Sequence, residues 1–598
     1  MVEIVVRKDG TARTFSVKEG DNLLHVLIKE GVAMLSPCGG KGICGKCKVI
    51  FKKGAKAPTD SDKKHLSEEE LNKGMRLSCG VKITEPIEVE IPLTSDAIEV
   101  LTTGDDEIGD VDPYVVKTYL EMSLPSIDDQ RSDLKRLQDA LGMEDLYVNS
   151  ELLREISAIM KDSNYKVTAC TFKGKLISLE PGDTSKISFG VAIDIGTTTV
   201  ACYLVDLTSG RVVDVVSGVN AQRPYGADVI SRINYTTQQE GGLTTLRDAI
   251  VNQIAELIGK LSAKTNIPMK HIYNVTIVGN TTMTHLFLGL PSTNIAVAPY
   301  IPVVTSLVDI PGKEMGIPIA GYISVLPGVA SYVGSDITAG ILDCEMHKSE
   351  TYSLLLDLGT NGEIAVGNKD RIVACATAAG PAFEGATIKC GIGGVKGAVS
   401  KVDLDSEKIY TTIGDAKPIG ICGSGVLDMV SEFVKHEIVN NMGRMQDPAT
   451  LDLTENIKKR IVPSTDGGKE FIIEGNIVFT QKDVREVQLA KAAVSAGILI
   501  LMKEAGITHD DIKDVYVAGG FGNFMDINSA LTIGLLPKEF TGKVKSVGNS
   551  AGTGSKMCLL SKNEIDDINK ISTSVKYVEL SGRRDFEGLF VDQMTFDE

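Results

Sequence analysis

The sequence predicts a multidomain α/β protein: a small cysteine-bearing module, a small α+β segment and a large α/β part built by duplication. Three observations lead there. The chain has 598 residues, several times the length of a usual domain of about 150. Four of its eleven cysteines crowd into residues 38–79. An apolar strand ending in Asp-x-Gly-Thr occurs twice, at Asp194 and at Asp357, 163 residues apart. Composition agrees, because 43% hydrophobic and 24% charged residues are ordinary for a globular chain and exclude disordered and collagenous classes. Apolar runs such as Ala496–Met502 fall far short of the roughly 20 residues that cross a bilayer. No membrane partner is expected, and a start carrying Glu3, Arg7 and Asp9 does not read as a signal peptide. A cytoplasmic location follows as the expectation.

Charge separates the parts. Lys and Arg number 62 against 79 Asp and Glu, a net −17, which disfavours general nucleic-acid binding. Up to residue 82 the stretch is +6 and the remainder is −23. A basic module therefore rides on an acidic body.

That module carries Cys38, Cys44, Cys47 and Cys79, spaced C-x5-C-x2-C and then 31 residues to the last. Gly39, Gly40, Gly42 and Gly45 surround the first three, letting backbone N–H groups approach sulfur and offset thiolate charge. A zinc knot prefers two C-x2-4-C pairs, and only Cys44/Cys47 makes one. Four unrelated buried thiols would rarely share one glycine loop. The third reading is a [2Fe–2S] centre, whose plant-type pattern is C-x4-C-x2-C…C. The flanks read as a hairpin (Val2–Val6 and Ala12–Val17 through Asp9-Gly10), a helix from Asp21 to Glu30, and strands Cys47–Phe51 and Ile87–Ile91. This order resembles the β-grasp ferredoxins over residues 1–94, and the longer first gap resembles their adrenodoxin-like branch. Lys41, Lys46, Lys48, Lys52 and Lys53 would partly offset the cluster charge or steer an acidic partner.

Residues 95–112 hold Asp96, Glu99, Asp105, Asp106, Glu107, Asp110 and Asp112 with Gly104 and Gly109, the composition of a flexible acidic linker. Ser126-Ile-Asp-Asp129 reads as a capping box opening a helix to about Ala140. A second helix (about Glu151–Lys161) and strands Lys166–Phe172 and Lys175–Leu179 complete a small α+β module over 113–187 in which no chemistry is apparent.

The remainder, 188–598, carries the repeat. Phe189–Thr199 recurs as Leu354–Gly362, and each copy continues through a second strand, a turn and a third strand. A tight glycine turn exposes N–H and Thr hydroxyl donors toward phosphate, while an Asp just before it suits a hydrated Mg2+. Further glycine loops follow at Ala379–Gly385, Ile419–Gly425, Val515–Gly522 and Val547–Gly554. The dinucleotide fingerprint, G-x-G-x-x-G after a strand, and a G-x4-G-K-[ST] loop are both absent.

These turns resemble the two phosphate motifs and the adenosine motif of the ASKHA superfamily, which includes acetate and sugar kinases, Hsp70 and actin. The expected fold of 188–598 is thus a duplicated RNase H-like ATPase. A ferredoxin module joined to such a part resembles the ATP-dependent reductive activators of corrinoid proteins over the whole length. By that resemblance Asp194, Gly196, Thr197, Thr198 and Thr199 sit at one phosphate turn and Asp357, Gly359, Thr360 and Asn361 at the other. Gly380, Gly423 and Ser424 join the ATP and Mg2+ site, Gly519 and Gly520 face adenosine, and Asn280, Thr281 and Thr282 line the cleft. Glu363 and Glu384 are candidates to orient the attacking water or to accept structural hydrogen bonds. The cofactors implied are a [2Fe–2S] cluster, ATP and Mg2+. The partners implied are a corrinoid iron–sulfur protein or a corrinoid methyltransferase subunit, a low-potential electron donor and a second copy of the chain in a homodimer. The implied activity is one-electron return of Co(II) corrinoid to the methyl-accepting Co(I) state, coupled to ATP hydrolysis. Two alternatives stay open: a small-molecule kinase with a fused redox sensor, and an ATP-switched assembly factor with a structural cluster. The other seven cysteines are expected to be buried thiols, and the seven histidines show no ligand spacing.

Overall fold

The computed structural model describes residues 1–8, 11–30, 32, 34, 40, 42, 45–92, 111–359, 361–464 and 467–596. The Asp9-Gly10 turn, Cys38, Gly39, Lys41, Cys44, Thr360 and linker residues 95–110 lie outside the described residues.

Alternating apolar positions build the first sheet. Val2–Lys8 pairs antiparallel with Thr11–Val17 and parallel with Ile87–Glu90, and Lys48–Lys53 and Met75–Leu77 complete five strands. Ile4, Val6, Val49, Leu77 and Val89 pack inward against Leu23 and Leu27 of the helix Leu23–Lys29. That helix starts two residues later than its apolar pattern suggests, because the Asn22 side chain accepts from the His25 amide and caps it. Parallel pairing of the first and last strands around a helix is the β-grasp arrangement expected.

In the middle segment the strands Val115–Glu121, Lys166–Phe172, Lys175–Pro181 and Tyr147–Val148 form one sheet. The helices Asp133–Leu141 and Ser150–Asp162 cover one face with Leu137, Leu152, Ile156 and Met160. The expected capping box at Ser126 is corrected. Ser126 and Asp129 exchange backbone hydrogen bonds in a tight turn, Asp129 is held by Arg131 and Arg136, and Ser132 caps the helix instead. The sheet's other face buries Cys170 and Phe172 against Tyr203 and Tyr273 of the large part. There Lys117 Nζ donates to Glu180 Oε2 at 2.9 Å and to Tyr273 Oη at 3.0 Å.

The large part is two lobes of like design, each around a six-stranded sheet. In the first, Phe189–Ile195, Thr199–Asp206 and Val212–Val219 form an antiparallel meander. In the second, Tyr352–Leu358, Gly362–Gly367 and Ile372–Thr377 repeat it. The duplication extends further than the meanders. A helix of 24 residues, Gly242–Thr265, precedes the strand Ile272–Gly279, and one of 25 residues, Gln481–Ala505, precedes Ile512–Ala518. Each late strand runs parallel to its meander's first strand, pairing Asp194 with Val278 and Asp357 with Ala518. Both aspartates therefore stand at the ends of central strands, where parallel neighbours also end. Ala496–Met502 lies within the second long helix, whose Ala496, Ile498, Ile500 and Leu501 are fully buried.

Candidate functional site

Residues 196–198 join the first two strands of lobe one, and their backs are braced. Asn220 Nδ2 donates to Gly196 O at 2.8 Å, and its amide donates to Thr198 O at 2.9 Å. The fully buried Arg232 donates to Thr197 O and to Gly226 O, and burial lowers its guanidinium to about 9. Asn280 caps the helix Thr281–Leu288 and donates from Nδ2 to Thr197 Oγ1 at 3.0 Å. A turn fixed from behind points its remaining donors forward without reorganisation. Thr281, Thr282 and His285 are buried; His285 donates from Nδ1 to Thr281 O and accepts the Val303 amide at Nε2, so it is a neutral packing residue.

Across the cleft four carboxyls converge: Asp194, Asp357, Asp336 and Glu363. Asp336 lies in the first turn of the helix Ser335–Asp343. Desolvation raises Asp194 to about 7, with Asp357 adding repulsion and a 3.0 Å hydrogen bond from Asn549 Nδ2 opposing it. Desolvation raises Asp357 to about 6. Asp336 and Glu363 are both pushed up, first by burial and then by the neighbouring carboxylates. The charges that act on these acids are mostly each other's. Such a group retains protons near neutrality unless a cation enters, and a hydrated divalent ion with phosphate ligands suits it. The residues present therefore fit Mg2+.

The sequence-predicted glycines surround this centre. Gly380 and Gly520 border open space, and a Cβ on Gly359 would meet only Asn361 O, at 3.9 Å. A Cβ on Gly519 would fall 2.5 Å from Asp357 Oδ1, and one on Gly423 would fall 1.9 Å from Phe383 O. Gly519 thus abuts the carboxylate directly, and only glycine fits there. Ser424 Oγ donates to Ser400 O at 2.8 Å at the start of the helix Gly423–Lys435. Glu384 reaches across the cleft, accepting from Thr198 Oγ1 at 3.1 and 3.3 Å. Arg223 is shielded enough for desolvation to lower its guanidinium, with Glu384 opposing. Sequence reasoning missed Asp336, Asn549, Asn220, Arg223 and Arg232. Gly334-Ser335-Asp336 after the strand Tyr322–Val325 was a signal, but an acid in a helix's first turn is common without a site.

At the other end, strand pairing of Lys48 with Leu77 sets Cys47 beside the turn Ser78–Gly80 that carries Cys79. Ser78 N donates to Cys47 O at 2.8 Å, and Asn22 Nδ2 donates to Cys79 O at 2.7 Å. Gly40, Gly42 and Gly45 all take left-handed φ, at 87°, 73° and 68°. A Cβ on Gly42 would strike Ser61 Oγ at 2.8 Å, and one on Gly45 would strike His65 Cβ at 2.8 Å. Gly42 and Gly45 are thus pressed onto the helix Asp60–His65. A Cβ on Gly40 would sit 3.9 Å from Cys79 Cβ, so Gly40 lies against the fourth cysteine. The described residues fit a cluster held at this place.

Of the other seven cysteines, Cys344 and Cys390 are only partly buried, which corrects the expectation that all seven are buried. Buried Cys170, Cys202 and Cys375 have thiols pushed far up by desolvation. Two histidines do meet acids: His347 Nε2 lies 3.5 Å from Asp567, and His436 Nε2 lies 3.5 Å from both Asp405 and Glu432. Glu432 is already engaged by Lys435 and the Leu404 amide.

Four family models match successive stretches of the chain. They are a 2Fe-2S iron-sulfur cluster binding domain over residues 6–84, the RACo linker region over 104–186, the RACo middle region over 189–349, and the C-terminal domain of RACo, the ASKHA domain, over 351–598. The chain is 34% identical over 567 residues to the corrinoid activation enzyme RamQ of Eubacterium limosum, covering 92% of each chain. It is 25% identical over 425 residues to the Co(II) methylated amine-specific corrinoid protein reductase of Methanosarcina barkeri, covering 65% of this chain and 73% of that one. A solved structure of a reductive activator for corrinoid, iron-sulfur protein matches with a TM-score of 0.73 and 34% identity, covering 100% of this chain and 98% of the other.

Proposed function

The chain belongs to the family of reductive activators of corrinoid proteins, and from that premise we propose that it returns a Co(II) corrinoid to Co(I) by one-electron transfer coupled to ATP hydrolysis. The observation that carries this is the presence on one chain of a cysteine seat and a two-lobed acid cleft. When bound at Cys38, Cys44, Cys47 and Cys79, a [2Fe–2S] cluster supplies the electron, replenished by an external low-potential donor.

The energetic need is plain. A plant-type cluster lies near −400 mV, and an acceptor about 250 mV lower makes the step uphill by about 6 kcal/mol. Docking alone does not change that difference, whereas phosphoanhydride cleavage offsets it. The chain's residues divide the work in the cleft. The braced turn of Gly196, Thr197 and Thr198 and the facing turn of Gly359, Thr360 and Asn361 orient the phosphates. Asp194 and Asp357 would hold hydrated Mg2+. Asp336 and Glu363, both raised by burial, hold protons near neutral pH, and only once a bound cation has ionised them would either accept a proton from water. Gly380, Gly519 and Gly520 leave room for the nucleotide beside Asp357.

Two variants separate the halves. Asp194→Asn should retain the cluster's visible absorption after anaerobic reconstitution while ATP hydrolysis falls about 100-fold or more, the scale of losing a charge-stabilising group. Cys47→Ser should lose that absorption while ATP hydrolysis persists. Both should fail to reduce a Co(II) corrinoid protein, followed optically. ATP consumption that requires an added metabolite would instead identify a kinase.

A further inference from the structure

Residues 381–392 touch three places that the proposed chemistry must connect. At one end Glu384 accepts from Thr198 Oγ1 of the lobe-one phosphate turn. Beside it Phe383 stacks on Phe521 with ring centroids 4.8 Å apart and planes 15° from parallel. Phe521 belongs to the short helix Gly519–Phe524 that follows the expected adenosine turn. At the other end Lys46, the residue before Cys47, reaches from the cysteine module and donates from Nζ to Gly391 O at 3.0 Å and Ile388 O at 3.4 Å.

The segment is stiff. A Cβ on Gly391 would fall 2.0 Å from Gly385 O, so its two limbs press backbone on backbone. Lys389 N donates to Asp483 Oδ1 at 2.8 Å, tying it to the start of the long helix Gln481–Ala505. Tight packing moves as a body rather than deforming locally. The charge balance favours the contact, since residues 1–82 carry +6 and the remainder −23. Lys46 also acts electrostatically on the thiol of Cys390 within the segment.

We propose that residues 381–392 are the docking seat of the cysteine module and that this seat reads the nucleotide. Phosphate at the Thr198 turn competes for the hydroxyl that otherwise donates to Glu384, and the stiff segment carries the displacement to the carbonyls that hold Lys46. The seat stands on geometry alone. Its response to nucleotide rests on the ATP reading above.

Amine acetylation read by mass spectrometry tests both on the anaerobic full-length holoprotein, with Lys53, whose side chain is 80% exposed, as internal reference. Without nucleotide, Lys46 should label about tenfold more slowly than Lys53, as protected groups do. With the non-hydrolysable analogue AMP-PNP and Mg2+, whose binding is measured by equilibrium dialysis on the same sample, Lys46 labelling should rise several-fold. Glu384→Ala should give the fast rate without nucleotide. Equal rates for Lys46 and Lys53 in the nucleotide-free protein overturn the seat. Slow labelling unchanged by bound analogue overturns the coupling. An analogue that does not bind at all defeats the ATP reading and leaves the seat judged by its own arm.

Discussion

Asp194 shows how one residue carries both a cost and a function. Its carboxyl titrates near 7 in the fold against an ordinary 3.8, so between those values the folded chain holds more protons than the unfolded one. Stability is therefore lost as pH rises from about 4 to about 7. Asp194→Asn cannot ionise and escapes that loss. In chelator its melting temperature should exceed the parent's by a margin that grows to several degrees between about pH 5 and about pH 7.5, and Mg2+ should shrink the margin. An advantage constant across pH would contradict the role given to this carboxyl. The D-x-G-T residues were legible because strand, acid, glycine and hydroxyl stand in one short run. Asp336 and Asn549 were not, because each is an ordinary residue locally and becomes a site member only when the lobes bring it within reach of Asp194. Gly423 was legible as a glycine-loop residue, yet the structure shows that contact with Phe383 O alone already forbids a side chain there.

Among elements, the helix Asp60–His65 matters more than its six residues suggest. Asp62 is 1% exposed and accepts three hydrogen bonds, from Thr59 N, Thr59 Oγ1 and Leu77 N, at 2.7–2.8 Å. Asp62→Ala leaves those donors without their acceptor, a destabilisation of about 2–3 kcal/mol. It loosens the surface on which Gly42 and Gly45 rest. Iron retained per chain after reconstitution should fall while ATP hydrolysis without a corrinoid partner stays unchanged. Unchanged iron would show that the cysteine loop needs no support from this helix. Strands were read well, since alternation reports a half-buried sheet face directly. The start of the first middle-segment helix was misplaced because Ser126-x-x-Asp129 matches a cap in sequence, whereas Arg131 and Arg136 claim the Asp129 carboxylate. The repeat of long helix plus parallel strand went unread: at corresponding places Ile267…Ile272-Tyr-Asn-Val275 and Ile507…Ile512-Lys-Asp-Val515 share only three residues, although their folds coincide.

Across the whole molecule, function arises from joining parts that are each familiar alone. The middle segment is fastened to lobe one through Lys117, Glu180 and Tyr273, and the cysteine module meets lobe two through Lys46. Neither contact was readable in sequence, because the residues involved lie 63 to 345 positions apart and belong to no motif. What the sequence did disclose at this scale was the division into a basic module and an acidic body, since net charge needs no fold to be counted. The central claim is that nucleotide cleavage drives the electron uphill. The most direct measurement mixes the pre-reduced holoprotein with a Co(II) corrinoid protein under anoxic conditions and follows the Co(I) absorption with ATP, with AMP-PNP and without nucleotide. The account predicts Co(I) accumulating to a substantial fraction only with ATP. Equal accumulation in all three samples would contradict it.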